Sequence, residues 1–405
     1  MYYIHANVLR CLIFIYCFTY VHNRRKIKTN STVDFSDINS DIYLNSIQMI
    51  AKYGYTPEKY AVITSDGYLV DTYRIVNNGP PVLLVHGIGD SSDSWLVLGP
   101  KKSLSYQLSD LGYDVWLFNA RGNKYSKGHI RNLSSKKYWN FTYEEMGYED
   151  LPAVIDFVLR MTSYKKLSYV GFSQGTTIFL VMCSMKPEYN EKIDKAFLLA
   201  PVAWINHLRY PFIDILSDNL DLLKSFFDSI GVYDLYADNM LKNLYHARVC
   251  QNGVPENILC KLELYISYGI RNINNLYPEK LPVLASHIPA GVSTKTFVHY
   301  FQGYLSRNFQ RYDYGFRTNQ MLYASSKPPA YNLSLVTAPL YIYSSKSDWF
   351  STQEDVETLE SKLTNIVQTV KFNVSLDFTH LEFIYGSRVN EFINDDIKRT
   401  IGEHL

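Results

Sequence analysis

The chain has 405 residues, which is enough for one large α/β domain with an insertion or for two ordinary domains. Apolar residues make up 47% of it, so a sizeable core is available. The formal net charge of +1 implies no broad electrostatic attraction to nucleic acid. No group of histidine, cysteine and carboxylate residues has metal-ligand spacing. We therefore expect no nucleic-acid partner, no metal and no cofactor.

The N-terminus predicts a targeting segment. Residues 11–21 are almost wholly apolar, Arg10 precedes them, and the basic stretch HNRRK follows. This run is shorter than the roughly 20 residues that a membrane-spanning helix needs, and its flanks are typical of a secretory signal. We predict a signal peptide over residues 1–23 and a secreted or lysosomal protein. An uncleaved anchor is the alternative, because no small-x-small pair marks a cleavage site.

Cysteines and sequons fit an oxidising compartment. Cys250 and Cys260 are near enough in sequence to pair, whereas Cys183 falls in an apolar helical stretch and is expected to be a buried free thiol. Five N-x-S/T triplets beside a signal-like start are glycosylation candidates. They begin at Asn30, Asn132, Asn140, Asn332 and Asn373.

The first half of the chain predicts an α/β pattern. After a short helix around residues 42–52, two strand-like runs flank Ser65-Asp66-Gly67 and predict a hairpin. Apolar strands then alternate with helical segments. Strands are predicted over 81–85, 113–118, 167–172 and 196–199, and helices over 144–159 and 174–185. Such a succession indicates a mostly parallel sheet covered by helices on both faces.

The pattern breaks at about residue 205. From there to about 325, apolar and aromatic residues recur at helical spacing without a βα repeat. A strand over 339–343, a helix over 353–363, a strand over 370–374 and a helix from 389 then resume the pattern. We predict one α/β core in two parts, residues 24–204 and 326–405, with a helical cap inserted over 205–325.

The pentapeptide Gly171-Phe172-Ser173-Gln174-Gly175 has the form G-x-S-x-G. By chance it would occur in roughly one chain of this length in ten. Here it joins a predicted strand to a predicted helix, which is the setting that exposes a serine hydroxyl on a strained turn. An ordinary turn with an N-capping serine is the alternative. We predict that Ser173 is a nucleophile.

A serine hydroxyl needs a base to take its proton, and the base needs an orienting carboxylate. In this setting the chain order is serine, acid, histidine. Asp348 and His380 both follow late predicted strands, at the sheet edge where open α/β folds bind ligands, so we predict them as acid and base. The competing residues lie in a helix, ahead of the catalytic loop, or in the cap and its return. They are Asp355, Glu357, Asp377, His207, His246, His287 and His299.

An oxyanion hole is expected from two backbone N–H groups. One belongs to Gln174, directly after the nucleophile, and the other to Ile88 in the loop His86-Gly87-Ile88-Gly89. The glycines let this loop bend beneath the substrate carbonyl. We interpret His86 as a structural partner in the turn.

Together these segments resemble the acid lipase family, which includes lysosomal acid lipase, gastric lipase and their insect relatives. The similarity extends over nearly the whole chain after the signal, and its motifs follow the family's order. They are LLVHGIGDSSDSW, YDVWLFNARGNKYSKGH, GFSQGTT, SHIPAGVSTKTFVHYFQ, SDWFSTQEDV and HLEFIYG. The resemblance implies an α/β-hydrolase fold with a mobile lid in the cap, the same triad and oxyanion hole, and a disulfide between Cys250 and Cys260.

The resemblance also implies a function: a serine lipase that hydrolyses triacylglycerol or cholesteryl ester at a lipid–water interface through an acyl-enzyme. Two alternatives stay open. One is a small-ester carboxylesterase or peptidase on the same fold. The other is a lipid-binding carrier without turnover, against which the intact serine, aspartate and histidine argue. Phe172 replaces the family's usual histidine, and Ser347 stands where a Gly/His-rich turn is typical, so both bear on substrate preference and acid tolerance.

Overall fold

A computed structural model describes residues 40–211 and 213–402. The predicted signal peptide and Asn30 lie outside these residues. The strands are β1 Pro57–Ile63, β2 Tyr68–Ile75, β3 Pro81–Val85, β4 Asp114–Phe118, β5 Gly128–His129, β6 Leu167–Phe172, β7 Ile193–Leu199, β8 Asp234–Leu235, β9 Val292–Ser293, β10 Leu340–Ser345 and β11 Ile366–Phe372.

The α-helices are α1 Ser46–Lys52, α2 Leu104–Asp110, α3 Ser135–Tyr138, α4 Tyr143–Glu145, α5 Leu151–Thr162, α6 Gln174–Met185, α7 Ile213–Asp218, α8 Leu220–Ile230, α9 Met240–Val249, α10 Asn257–Tyr268, α11 Leu281–His287, α12 Thr294–Ser306, α13 Phe316–Tyr323, α14 Gln353–Glu360, α15 Glu382–Tyr385 and α16 Asp395–Gly402. Short π-helical segments, Met146–Asp150 and Asn390–Asn394, join α4 to α5 and precede α16.

One sheet organises the described part of the chain. Its order is β1-β2-β4-β3-β6-β7-β10-β11, with β5 paired to β2. The strands from β4 through β3 to β11 run parallel to one another, and β2 pairs in antiparallel fashion with β1, β4 and β5. Since parallel strands end at the same edge, the loops after β3, β6, β10 and β11 lie together. The predicted fold class, an α/β-hydrolase fold with a mostly parallel sheet, is confirmed.

Alternate side chains of each central strand pack in two different hydrophobic clusters. Val82 and Leu84 of β3 pack in one cluster of buried side chains, whereas Leu83 and Val85 pack in a second cluster. Since successive side chains of a strand point to opposite faces, both faces of the sheet are covered. This is why these strands read as unbroken apolar runs in the sequence.

The elements around the predicted nucleophile match the sequence closely. Strand β6 and helix α6 have the predicted bounds. Every residue of α6 from Gln174 to Ser184 is buried, which agrees with its apolar character on all sides. The predicted hairpin is present as the antiparallel pair β1 and β2.

Several predicted bounds are wrong: β7 begins at Ile193 instead of residue 196, α14 ends at Glu360 instead of residue 363, and three further bounds differ. The first helix begins at Ser46 rather than near residue 42, because Asn45 and Gln48 form a capping box there. The helix predicted over 144–159 runs from Tyr143 to Thr162 and contains a π-helical segment. The last strand is Ile366–Phe372 instead of 370–374. It is an edge strand whose burial alternates along its length, so its apolar residues form no continuous run.

The predicted cap region contains helices α7 to α13 and the two-stranded ribbon of β8 and β9. Its bounds remain a prediction. Cys250, at the end of α9, and Cys260, in α10, form a disulfide with 5.1 Å between their Cα atoms. Cys183 is a buried free thiol. Among residues 40–211 and 213–402, no helix combines the length and the apolarity that a membrane crossing requires.

The sequons in the described residues are accessible. The side chains at Asn132, Asn140, Asn332 and Asn373 are exposed to solvent. Each therefore meets the steric requirement of a glycan acceptor, which must lie on the surface.

Candidate active site

Ser173 lies on a strained turn between β6 and α6. Its backbone has φ +51° and ψ −115°, a combination that a residue with a side chain rarely adopts. Its N–H donates a hydrogen bond of 3.0 Å to the carbonyl of Leu199 at the end of β7. This bond ties the turn to the neighbouring strand and keeps the serine at the carboxyl edge of the sheet.

The two glycines of the motif allow close packing around this turn. A Cβ atom on Gly175 would lie 2.6 Å from the carbonyl oxygen of Val85, at the end of β3. A Cβ atom on Gly171 would lie 2.7 Å from the ring of Tyr169. Helix α6 can therefore begin directly against β3 only because both positions lack a side chain.

His380 reaches Ser173 from the loop after β11. Its Nε2 lies 2.9 Å from Ser173 Oγ, within hydrogen-bonding distance, although the residues are 207 positions apart. Both side chains are almost completely buried. The arrangement lets the imidazole accept the hydroxyl proton.

Asp348 orients this imidazole from the loop after β10. Its Oδ2 lies 2.8 Å from His380 Nδ1. Its Oδ1 accepts the backbone N–H groups of Phe350 and Ser351, at 2.8 and 3.1 Å. The carboxylate is fully buried, so these bonds hold one oxygen in the turn and leave the other for the histidine.

The two residues predicted for the oxyanion hole lie on segments next to the serine. Gln174 is the first residue of α6, and the first N–H groups of a helix have no acceptor within that helix. Ile88 belongs to the loop after β3. A Cβ atom on Gly87 would lie 3.3 Å from Ser173 Cβ, so this loop passes directly beside the nucleophile.

The competing histidines contact other groups. His207 pairs with Asp355 at 2.9 Å, and His299 Nε2 donates to the carbonyl of Gln310 at 2.9 Å. His287 Nδ1 lies 2.7 Å from the buried carboxylate of Asp93.

Two aromatic rings that flank the histidine carry no motif of their own. The rings of Phe172 and Phe350 each lie with their centroid 5.0 Å from that of His380. Phe172 was noted in the sequence only as a departure from the family, and Phe350 was missed. Its place two residues after Asp348 was the available signal. Together the two rings restrict the imidazole and keep water from its faces.

A buried arginine with two carboxylate partners was also not predicted from the sequence. The guanidinium of Arg121 contacts Asp66 at 2.6 Å and Asp150 at 2.5 Å, and it lies over the ring of Tyr68. Burial lowers the pKa of Arg121, but the two carboxylates outweigh this and hold it above its ordinary value. The charged network anchors the loop after β4, whose residues Ala120 and Asn123 donate hydrogen bonds to His86 and to the carbonyl of Asp90.

Comparisons with known proteins identify the fold and the family. A family model described as "alpha/beta hydrolase fold" matches residues 80–386, and a model described as "partial alpha/beta-hydrolase lipase region" matches residues 46–99. The carboxylesterase CesB from Bacillus subtilis has a similar structure, with a TM-score of 0.50 and 13% sequence identity over 88% of this chain and 96% of that one. At this identity the likeness concerns the fold alone.

Curated relatives are considerably more similar in sequence. Lipase 1 of Drosophila melanogaster is 37% identical, and the match covers 91% of this chain and 82% of the relative. The gastric triacylglycerol lipase of Bos taurus is 35% identical, over 90% of this chain and 93% of the relative. The chain therefore belongs to the acid lipase family of α/β-hydrolases and is a serine ester hydrolase.

Proposed function

We propose that the protein is a lipase that cleaves the ester bonds of neutral lipids, triacylglycerol or cholesteryl ester, through an acyl-enzyme on Ser173. The observation that carries this proposal is the hydrogen-bonded series from Ser173 through His380 to Asp348, with distances of 2.9 and 2.8 Å. A nucleophile, a base and an orienting acid are the groups that ester hydrolysis at a serine requires.

In the first half-reaction, Ser173 Oγ attacks the ester carbonyl carbon while His380 Nε2 takes the hydroxyl proton. The carbonyl oxygen becomes an oxyanion, which accepts the N–H groups of Gln174 and Ile88. Asp348 stabilises the imidazolium. His380 then gives its proton to the leaving alcohol oxygen, the ester C–O bond breaks, and the acyl group remains on the serine.

In the second half-reaction, water replaces the alcohol. His380 takes a proton from the water as its oxygen attacks the acyl carbon, and the same two N–H groups hold the oxyanion. The bond to Ser173 Oγ breaks as the serine regains its proton. The products are a fatty acid and the unmodified enzyme.

Two observations support a lipid substrate. The curated relatives include a gastric triacylglycerol lipase. In addition, exposed apolar side chains occur on both cap helices that the disulfide joins. They are Met240 and Leu241 on α9, and Ile258, Leu259 and Leu262 on α10. Exposed apolar surface marks sites of contact with a membrane or with another molecule, and we propose that here the cap meets the lipid–water interface.

We further propose that the protein enters the secretory pathway and acts outside the cell or in lysosomes. The apolar run at residues 11–21 and the exposed sequons support this location. Expression of the full chain in animal cells, with and without peptide N-glycosidase treatment, tests it. We expect a glycosylated product in the medium or in lysosomes, whereas an unglycosylated cytosolic product would contradict the proposal.

The decisive experiment is a panel of esters assayed with wild-type protein and Ser173→Ala. We expect emulsified triolein or cholesteryl oleate to be hydrolysed. Removing the nucleophile should lower kcat on the order of 10⁵–10⁶-fold. Ser184→Ala is the matched control, because Ser184 is buried in the same helix and bonds only the Val181 carbonyl. Its activity should equal that of the wild type.

Other outcomes would assign a different function. Hydrolysis of p-nitrophenyl butyrate without activity on long-chain esters would indicate a small-ester carboxylesterase. If a serine-reactive phosphonate failed to label the folded protein, a carrier without turnover would be favoured. Unchanged long-chain hydrolysis by Ser173→Ala would contradict the assignment of the nucleophile.

A further inference from the structure

His86 contacts the peptide that is expected to stabilise the oxyanion. Its Nδ1 lies 2.7 Å from the carbonyl oxygen of Gly87. In a trans peptide the carbonyl and the following N–H point in opposite directions. The bond from His86 to Gly87 therefore directs the N–H of Ile88 to the side of the loop that faces away from His86.

The ring of His86 has one defined protonation state in this setting. The backbone N–H of Ala120 donates to its Nε2 at 3.0 Å, and a backbone N–H can only donate. Nε2 is therefore unprotonated, and the proton lies on Nδ1, where it is donated to Gly87. The histidine is a neutral donor with a single tautomer.

The surroundings favour the neutral ring. Burial lowers the pKa of His86, and it outweighs the carboxylates of Asp90 and Asp93 and the Gly87 carbonyl, which act in the opposite direction. The Nδ2 of Asn123 lies 3.3 Å from His86 Nε2. The neutral ring of His86 can therefore donate its Nδ1 proton to Gly87 without becoming an imidazolium.

The rest of the loop is held independently of His86. The carbonyl of Gly89 accepts the N–H of Ala290, at 2.7 Å. Further along, the Oδ1 of Asn119 accepts the N–H of Ser92, at 2.9 Å. The carbonyl of Gly87, in contrast, accepts its hydrogen bond from His86.

We propose that His86 is a positioning residue for the hydrolysis, because it holds the Gly87 carbonyl so that the N–H of Ile88 faces the reacting ester at Ser173. This inference rests on the proposed function, in which Ile88 is an oxyanion donor. It assigns to the imidazole no contact with substrate.

Two substitutions at His86 separate positioning from packing. His86→Leu removes the donor, so we expect kcat for p-nitrophenyl butyrate to fall about 100-fold, the range observed when an oxyanion-hole donor is lost. KM should change less than twofold, since the oxyanion exists only in the transition state. In His86→Asn, the amide Nδ2 takes the place of Nδ1, so we expect at least a tenfold recovery of kcat.

Asn190→Ala is the matched control for lost buried hydrogen bonds. Asn190 is buried before β7, at the opposite edge of the sheet, and its Oδ1 accepts the N–H groups of Thr337 and Ala338. We expect a lower melting temperature with an unchanged kcat. A kcat loss in this control that matched that of His86→Leu would show a general effect of destabilisation and overturn the proposal.

Other results also decide the question. Unchanged kcat in His86→Leu, a rise in KM alone, or no recovery in His86→Asn would contradict the role.

If His86→Leu does not fold, nitrogen NMR of wild-type protein with labelled histidine tests the tautomer of His86. We expect protonated Nδ1 and bare Nε2 at pH 7.5, and an imidazolium or the other tautomer at that pH would overturn the proposal. Ser173→Ala, assayed in parallel, tests the proposed function separately.

Discussion

The carboxylate of Glu382 accepts hydrogen bonds from both the backbone N–H and the hydroxyl of Thr379, at 2.6 and 2.7 Å. Thr379 directly precedes His380, so this capping contact fixes the loop that carries the histidine. Burial raises the pKa of Glu382 from its ordinary value of 4.5 to about 7, although the bonds from Thr379 lower it. The contact between Glu382 and Thr379 therefore makes the stability of the fold depend on pH.

The sign of this coupling can be measured. Between pH 4.5 and 7, unfolded chains release the Glu382 proton while folded ones keep it, so the stability of the fold decreases as pH rises through this range. The shift corresponds to about 3 kcal/mol. In Glu382→Gln the amide oxygen can still accept both bonds without titrating. We expect the difference in unfolding free energy between the two proteins to change by this amount between pH 4.5 and pH 7.5. Parallel stability curves would contradict the prediction.

Asp348→Asn should inactivate the enzyme with little change in shape. The N–H groups of Phe350 and Ser351 require an oxygen at Oδ1, so the new amide NH₂ must face His380 Nδ1. That contact forces the imidazole proton onto Nε2, where the ring can no longer accept the proton of the serine. We expect kcat to fall on the order of 10³–10⁴-fold.

The matched control for this substitution is Asp355→Asn. Asp355 also pairs with a histidine, His207, but on the outer part of the molecule. Its kcat should stay within twofold of wild type when both variants have native circular dichroism. An equal loss in the two variants would indicate a general structural effect.

Removal of the buried cation should destabilise the fold. In Arg121→Met, the carboxylates of Asp66 and Asp150 lose their partner, and Asp150 is completely buried. We expect the free energy of unfolding to decrease by about 3–5 kcal/mol. Arg388→Met, which removes an exposed pair with Glu391, should change it by less than about 1 kcal/mol. Urea denaturation of both variants measures the contrast, and equal effects would contradict it.

The turn between β6 and α6 should not tolerate a methyl group at Gly175, the second glycine of the G-x-S-x-G motif. In Gly175→Ala, the new Cβ would meet the Val85 carbonyl at 2.6 Å, so α6 must move away from β3. We expect a loss of about 1–3 kcal/mol in stability and about 100-fold in kcat, since the nucleophile moves with the helix. Gly402→Ala, in α16 with no atom within 4 Å of the new Cβ, should leave both quantities unchanged. Wild-type activity in Gly175→Ala would show that the turn can relax.

The local pattern of apolar residues was sufficient to predict the bounds of the central strand and helix around Ser173. Strand β6 and helix α6 have the bounds that their apolar residues predict, because both are buried on all sides and few polar positions interrupt them. The edge strand β11 alternates between half-buried and exposed residues, so its start was misplaced by four residues. The start of α1 depended on the capping box of Asn45 rather than on hydrophobicity.

The sequence by itself determined the strand–turn–helix around Ser173, the order of the acid and the base after it, and the family to which these residues belong. The tertiary structure decided which groups meet. Asp348 and His380 contact each other because β10 and β11 are parallel neighbours whose loops share one edge of the sheet. The bond from the Ala120 N–H to His86, which sets the tautomer of the ring, and the ion pairs of Arg121 join segments that are distant in the chain. No local pattern encodes these, since hydrophobic spacing reports only which face of an element is covered.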